Sequence, residues 1–185
     1  MDERGRELGR MPKLEHEPAR AFVERSRRYL VRDYLPRIRA ALARIPDEDV
    51  WWRPDEASNS VGNLLLHLAG NARQWIVSGV GGSVDLRRRE EEFAARGGMS
   101  GAEALAVLEE AVRDVDEVLE TLDPARLGER RTIQGHDVTV LEAIYHVVEH
   151  FSMHTGQILY VVKLRSGEDL GFWRIGADGT AEPRW

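Results

Sequence analysis

The chain has 185 residues, which is enough for one domain with a sizeable hydrophobic core. Its formal net charge of −6 argues against a protein that binds nucleic acid or an anionic membrane surface, because both of these attract basic proteins. Cysteine is absent, which excludes disulfides, a cysteine nucleophile and cysteine-ligated zinc.

Residues 1–17 are polar and charged without any apolar period, and this predicts a flexible N-terminal tail. Either Met1 or Met11 could be the natural start, and His16 is expected to be solvated. No basic stretch followed by an apolar stretch marks a secretory signal, and no uncharged apolar run has the length of a membrane span. We therefore expect a cytoplasmic protein.

Four stretches have the apolar spacing of amphipathic helices, and they lie at about 18–45, 60–78, 100–122 and 139–165. Pro36 falls inside the first pattern and should kink or divide that helix, because proline has no backbone N–H. Ser100 and Glu103 have the spacing of a capping box at the start of the third helix. Together the patterns predict an all-α domain of four helices over residues 18–173, followed by a C-terminal tail over residues 174–185.

Two connectors carry recognisable patterns. Residues 79–98 contain the run RRREEE at 87–92, whose charges cancel and which predicts a short surface helix. Strand-like residues on both sides of the segment QGHD, residues 134–137, predict a small hairpin before the fourth helix. His136 would then be a surface turn residue, and we do not expect it to be a metal ligand.

The second helix has an uncharged stripe of hydrogen-bonding side chains. The stripe consists of Ser60, Asn63, His67, Asn71 and Gln74. Solvated helix faces normally use Glu, Lys and Arg, yet Arg73 is the only charged residue in this helix. The stripe is therefore predicted to face a polar interior cavity, with His67 at its middle.

The fourth helix carries His146, His150 and His154, each four residues after the last and so on one face. Between residues 143 and 162 its only full charge is Glu149, so most of this helix must be covered by protein. Buried imidazoles without partners cost free energy, and a divalent cation bound by them would remove that cost.

A pair of histidines four residues apart can bind one metal ion, with a third histidine from a neighbouring helix completing the set. His150 and His154 would supply the pair and His67 the third ligand. The segment HFSMH, residues 150–154, has no glutamate after its first histidine, so the metalloprotease arrangement is absent. On this chemistry alone a metal site and hydrogen-bonded core histidines both remain open. Imidazole ligands suit zinc, nickel and iron alike.

The segments NSVGNLLLHLAGN (59–71) and HFSMHTGQI (150–158) resemble the DinB-like superfamily, also called YfiT-like or bacillithiol-transferase-like metalloenzymes. The likeness covers roughly residues 20–173. It implies a four-helix bundle, often dimeric, in which His67, His150 and His154 hold the metal. Thr155 stands where many relatives carry Arg before the Gly-Gln pair, a difference that would alter substrate contacts and leave the ligands intact.

The resemblance also implies a type of chemistry. Characterised members include thiol transferases that use bacillithiol or mycothiol-like cofactors and a thiol-dependent isomerase, while most members have no assigned reaction. We therefore expect a metal-dependent enzyme that activates an exogenous thiol or water for transfer or hydrolysis of a small molecule. The alternative is a non-catalytic metal-binding or stress-related protein, and a homodimer is expected in either case.

Other polar residues are expected around the metal. Asn63, Asn71 and Gln157 are candidates to orient the ligands or the substrate. His146, one turn before the pair, is a candidate to support a ligand or to replace one. Nothing in the sequence assigns a catalytic residue.

Overall fold

A computed structural model describes residues 17–184, and within them the chain is mainly helical. The helices are α1 (Glu17–Arg28), α2 (Leu35–Leu42), α3 (Asp47–Val50), α4 (Val61–Ala72), α5 (Arg89–Ala94), α6 (Gly101–Glu120) and α7 (Val140–Ser166). Two π-helical segments, Tyr29–Tyr34 and Arg73–Ser78, join α1 to α2 and extend α4, and a 3-10 turn covers Pro124–Gly128. Residues 1–16 of the predicted N-terminal tail 1–17, with His16, lie outside the described residues, and Glu17 is the first residue of α1.

Four short strands form two antiparallel hairpins, β1 (Arg130–Ile133) with β2 (His136–Thr139) and β3 (Trp173–Ile175) with β4 (Ala181–Pro183). The all-α prediction is therefore only partly right. The hairpin β1–β2 lies where a short hairpin was predicted, and His136 is exposed beside its turn. The hairpin β3–β4 was not predicted, because each of its strands has only three residues, too few for an alternation of apolar and polar side chains to stand out.

Near Pro36, where a kink or division of the helix was predicted, the hydrogen-bond pattern changes from π-helical to α-helical. The chain passes through the π-helical segment Tyr29–Tyr34 and then enters α2 with Pro36 in its first turn. Proline is tolerated there because the first-turn N–H groups have no partner within the helix. The backbone therefore keeps helical dihedral angles from α1 through α2, including at the junctions Arg28 and Leu35.

Capping boxes define the starts of the three longest later helices, α4, α6 and α7. In each, a hydroxyl accepts from the main chain three residues later, and the side chain of that later residue accepts in return from the cap. The pairs are Ser60 with Asn63 on α4, Ser100 with Glu103 on α6 and Thr139 with Glu142 on α7. Because these caps define where each helix begins, they also help determine which side chains face which neighbour.

Apolar side chains of the long helices form one core. Helix α4 packs against both α6 and α7, and α7 also packs against α2. Leu68, Leu108 and Phe151 are completely buried in this core. Helix α5 lies on α4, so the polar stripe of α4 is covered by α5 on one side and approached by α7 on the other. Among the described residues, no helix is both long and apolar enough to cross a membrane.

Candidate metal centre

Three histidines converge where α4 meets α7. His67 comes from α4, and His150 and His154 come from successive turns of α7. One nitrogen can be chosen on each ring so that all three lie within 4.8 Å of one another. His67 and His154 are buried while His150 is half-buried, so the cluster can be approached from solvent on the side of His150. The predicted set of ligands is therefore brought together.

The closest contact in the cluster joins two ring nitrogens. Nε2 of His150 lies 2.9 Å from Nε2 of His67. Two neutral imidazoles cannot turn lone pairs toward each other at this distance without repulsion, so a proton or a cation must lie between the nitrogens. A cation with metal–nitrogen distances of about 2.0–2.1 Å would satisfy both at once.

The other nitrogen of His67 faces a buried carboxylate. Nδ1 of His67 lies 3.0 Å from Oε2 of Glu92, which comes from α5 and is 8% exposed. An Nδ1–H that donates to this carboxylate leaves Nε2 with its lone pair directed at the other histidines. Metal-binding histidines typically donate their second N–H to a carboxylate or a carbonyl in this way.

Several contacts hold Glu92 in place. The amide of Asn63 donates to the main-chain oxygens of Glu92 and Ala95, at 2.9 Å each. Gly70 makes room on α4, since a Cβ built there would lie only 2.0 Å from Oε1 of Glu92. The Phe93 ring packs on His67 with a centroid distance of 4.6 Å. Helix α5 therefore forms as predicted, but the interpretation of the charge run as wholly a surface feature is wrong at Glu92.

Arg87 completes the support of this carboxylate. Its Nε and Nη2 donate to the two oxygens of Glu92 at 2.8 Å each, and its Nη1 donates to Gln74 at 2.9 Å. Burial alone raises the pKa of Glu92, but the hydrogen bonds from Arg87 and His67 bring that pKa below its usual value. Glu92 is therefore ionised at neutral pH and available to accept from His67.

The third histidine is oriented from its own helix. Nδ1 of His154 lies 2.7 Å from Oε1 of Gln157, which can only accept. Nδ1 therefore carries the proton and Nε2 is left free to bind a cation. Gln157 had been a candidate to orient a ligand, and in the structure it contacts His154 directly.

A protein-family model for proteins of unknown function, DUF1572, matches residues 17–177. The chain belongs to the DUF1572 family. A search of curated proteins found no match. Among solved structures, a conserved protein from Enterococcus faecalis has a similar fold, with a TM-score of 0.62 and 17% sequence identity over 86% of this chain and 100% of that one. Such a distant likeness concerns the fold alone, so the function of this DUF1572 protein must be argued from its site.

The fourth histidine of the DUF1572 chain lies at the edge of the cluster. The His146 ring is 5.4 Å from that of His150 and 4.0 Å from that of Trp75, measured between centroids. The Asn71 amide lies 3.2 Å from its Nε2 and can donate to it. Asn71 Oδ1 and Trp75 Nε1 are buried without a hydrogen-bond partner among residues 17–184. Asn71 therefore contacts His146, and His146 separates it from the three clustered histidines.

Protonation is unfavourable in this part of the DUF1572 protein. Burial, followed by the charges of His154, His67 and His146, lowers the pKa of His150 to about 3. Burial also lowers the pKa values of His154 and His146. These rings are therefore neutral at physiological pH, and the neutral ring is the form that binds metal ions.

Proposed function

We propose that this DUF1572 protein is a DinB-like metalloprotein whose residues 18–173 form a four-helix bundle around a divalent cation. His67, His150 and His154 would hold the cation, and imidazole ligands suit zinc, nickel and iron alike. The observation that carries the proposal is the 2.9 Å contact between the Nε2 atoms of His67 and His150.

The hydrogen bonds on the far sides of the rings favour a metal over ordinary core histidines. His67 can donate to the buried Glu92 and His154 to Gln157, so both rings have Nδ1 occupied and Nε2 turned away from those partners. Core histidines satisfied by hydrogen bonds alone would pair each nitrogen with a donor or an acceptor of opposite kind. Three neutral rings with converging nitrogens are instead a ligand set for a cation.

We propose that the protein is a metal-dependent enzyme acting on a small molecule, either a thiol S-transferase or a hydrolase. A divalent cation held there would supply Lewis acidity that lowers the pKa of a thiol or water beside it. The chain has no cysteine, so the thiol must come from solution. The half-buried position of His150 supports this reading, because a purely structural site would be closed on all sides.

We also propose that the protein is a homodimer. Several large apolar side chains of α7 are exposed, and they are Leu141, Tyr145, Met153, Tyr160 and Leu164. Apolar side chains on one long helix are typical of a surface that is covered in the assembled protein. Twofold symmetry is the usual arrangement for such dimers. Light scattering at micromolar concentration tests this, and a monomer would contradict it.

The decisive experiment starts with protein purified without a polyhistidine tag, because the tag itself binds metal ions. Elemental analysis should find a divalent metal that is lost from the His154→Ala variant. The metal-loaded protein is then assayed with low-molecular-weight thiols and a chlorinated or epoxide electrophile, alongside metal-free protein. A rate that requires both the metal and His154 supports the enzyme.

Two outcomes would count against parts of this proposal. Metal bound stoichiometrically with no metal-dependent rate would favour the non-catalytic, stress-related alternative. Equal metal content in the wild-type and His154→Ala proteins would make the ligand assignment wrong.

A further inference from the structure

A second feature of the molecule lies behind the Arg87–Glu92 pair. A cavity with a volume of about 670 Å³ opens between α4, α6 and the connector that leads to α5. Cavities that bind small molecules typically measure about 300–1,000 Å³. Arg87 and Glu92 form part of its wall, whereas none of the three clustered histidines lines it. The cavity is therefore separate from the candidate metal centre and shares one wall with it.

The lining of this cavity is mainly apolar. Its apolar side chains come from α4, the π-helical segment, the connector and α6, and they are Leu66, Ala69, Val77, Val84, Leu86 and Val107. A concave surface of this kind favours the apolar body of a ligand because burial of both surfaces removes them from water.

The charged residues around the cavity are already paired with opposite charges, except Asp85, whose carboxylate accepts from the Gln74 amide and from the main-chain N–H of Arg87. Arg73 donates to Asp114 at 3.2 Å and to Glu110 at 2.8 Å. Arg88 donates to Glu91 at 3.1 Å, and Arg87 is bonded to Glu92. An anionic ligand would have to give up its hydration without gaining an unpaired cation, and the Asp85 carboxylate, which is exposed to water, attracts a cationic ligand only weakly. The cavity therefore favours an uncharged occupant.

Two apolar side chains at the rim of the cavity are exposed to water, which is unfavourable. Val84 is 78% exposed and Leu86 is 82% exposed, and both belong to a stretch of the connector with no regular secondary structure. Both line the cavity, so an apolar molecule bound there would cover side chains that now contact water. Burial of apolar surface is favourable in proportion to the area removed from water, which supplies a driving force at this rim.

We propose that this cavity binds an uncharged, mainly apolar small molecule, with Val84 and Leu86 packing against it. The inference goes beyond the metal-dependent function and does not depend on it, since the ligand needs no contact with a histidine. A concave cavity of this size fits a small molecule better than the flat surface of a second copy.

A matched pair of fluorescent probes tests both the apolar and the uncharged character of the ligand. N-phenyl-1-naphthylamine is neutral, and 1-anilinonaphthalene-8-sulfonate has the same rings with an added sulfonate. The neutral probe should saturate a single site with blue-shifted emission, and the sulfonate should bind about tenfold more weakly because of its desolvation. Equal affinities, or tighter binding of the sulfonate, would overturn the proposal.

Variants then locate the site. Val107→Trp should fill the cavity and weaken binding of the neutral probe by about tenfold or more, and Val84→Ser with Leu86→Ser should weaken it about threefold. Ile175→Ser removes an exposed apolar side chain on β3 and should leave binding unchanged. Wild-type affinity in the Val107→Trp protein, or an equal loss in Ile175→Ser, would overturn the assignment.

Two further measurements distinguish binding in this cavity from metal binding and from self-association. In the wild-type protein, methyl resonances of Leu66, Val77 and Val107 should shift when the neutral probe is added, which does not require any variant to fold. His150→Ala should lose metal and keep the probe, so failure of the metal site and failure of this cavity are distinguishable. Probe binding that falls as protein concentration rises, with Val107→Trp abolishing self-association, would identify a second copy as the occupant instead.

Discussion

Helix α7 and the connector before α6 both supply the candidate metal centre, but they do so in different ways. Helix α7 presents His150 and His154 by its own periodicity, so their common face follows from their spacing. The connector presents Glu92 through the short helix α5, which is held against α4 by Asn63 and seated over Gly70. The comparison shows that a ligand pair within one helix is a local property, whereas the carboxylate that orients a ligand is a tertiary one.

The largest effect should come from removing a ligand on α7. His150→Ala should weaken metal binding by more than about 100-fold, because loss even of an outer partner typically costs 10–100-fold. Isothermal titration of metal-free protein measures this, with His136→Ala as the matched control, since His136 is exposed on β2 and outside the cluster. Similar affinities of the two variants would exclude α7 as the source of the metal ligands.

The connector should contribute a smaller but clear share. Glu92→Gln keeps the shape of the side chain and removes the charge that accepts from His67, so metal affinity should fall about 10–100-fold. Gly70→Ala should act in the same direction, because its Cβ would lie 2.0 Å from Oε1 of Glu92. Glu91→Gln is the control, since Glu91 is exposed and bonded to Arg88. Unchanged metal affinity in Glu92→Gln would show that the connector covers the site without contributing to metal binding.

A third expected effect is on the stability of the metal-free protein toward acid. The pKa of His150 is lowered to about 3 in the folded protein, while the unfolded chain takes up this proton below about pH 6.5. Between these values the unfolded state binds more protons, so the free energy of unfolding should decrease as pH falls from about 6.5 toward 3.

Urea denaturation at several pH values in that range measures the effect. His150→Ala should show a shallower loss of stability on acidification than the wild-type protein, and His136→Ala should follow the wild type. Parallel changes in the free energy of unfolding with pH for the wild-type and His150→Ala proteins would contradict the lowered pKa of His150.

The smallest effect is expected at His146, on the same helix but at the edge of the cluster. Its Nε2 lies against the Asn71 amide, so His146→Ala should lower metal affinity by only about threefold, less than the roughly 10–100-fold typical of losing a direct partner of a ligand. Competition with a chromogenic chelator resolves a change of this size. A loss as large as that of His150→Ala would make His146 a ligand.

Much of the helical structure could be predicted because its signals are local. The predicted helix at 139–165 corresponds to Val140–Ser166, and the one at 100–122 corresponds to Gly101–Glu120. Both begin at capping boxes that are visible in the sequence. The π-helical segments could not be predicted, since they differ from α-helix only in hydrogen-bond register and bury the same apolar pattern.

The candidate site could also be predicted only in part. The three histidines stand out because they occupy nearly uncharged helices, and the structure brings them together. Glu92 was hidden within the run RRREEE, where nothing distinguishes the buried glutamate from its two exposed neighbours. Gly70, within α4, was the one available sign of a close approach. Asn63, a candidate to orient ligands, bonds the main chain of Glu92 and Ala95, and the Glu92 carboxylate in turn contacts His67.

The π-helical segment Arg73–Ser78 has a consequence for comparing family members. In a π-helix each hydrogen bond spans five residues, so the segment holds more residues per turn than the α-helix before it. A relative that continues this helix as a regular α-helix would reach the same point in space with one residue fewer. Correct alignment of such a relative would then need a single-residue gap after Ala72, and positions such as Trp75 would otherwise be matched to the wrong partners.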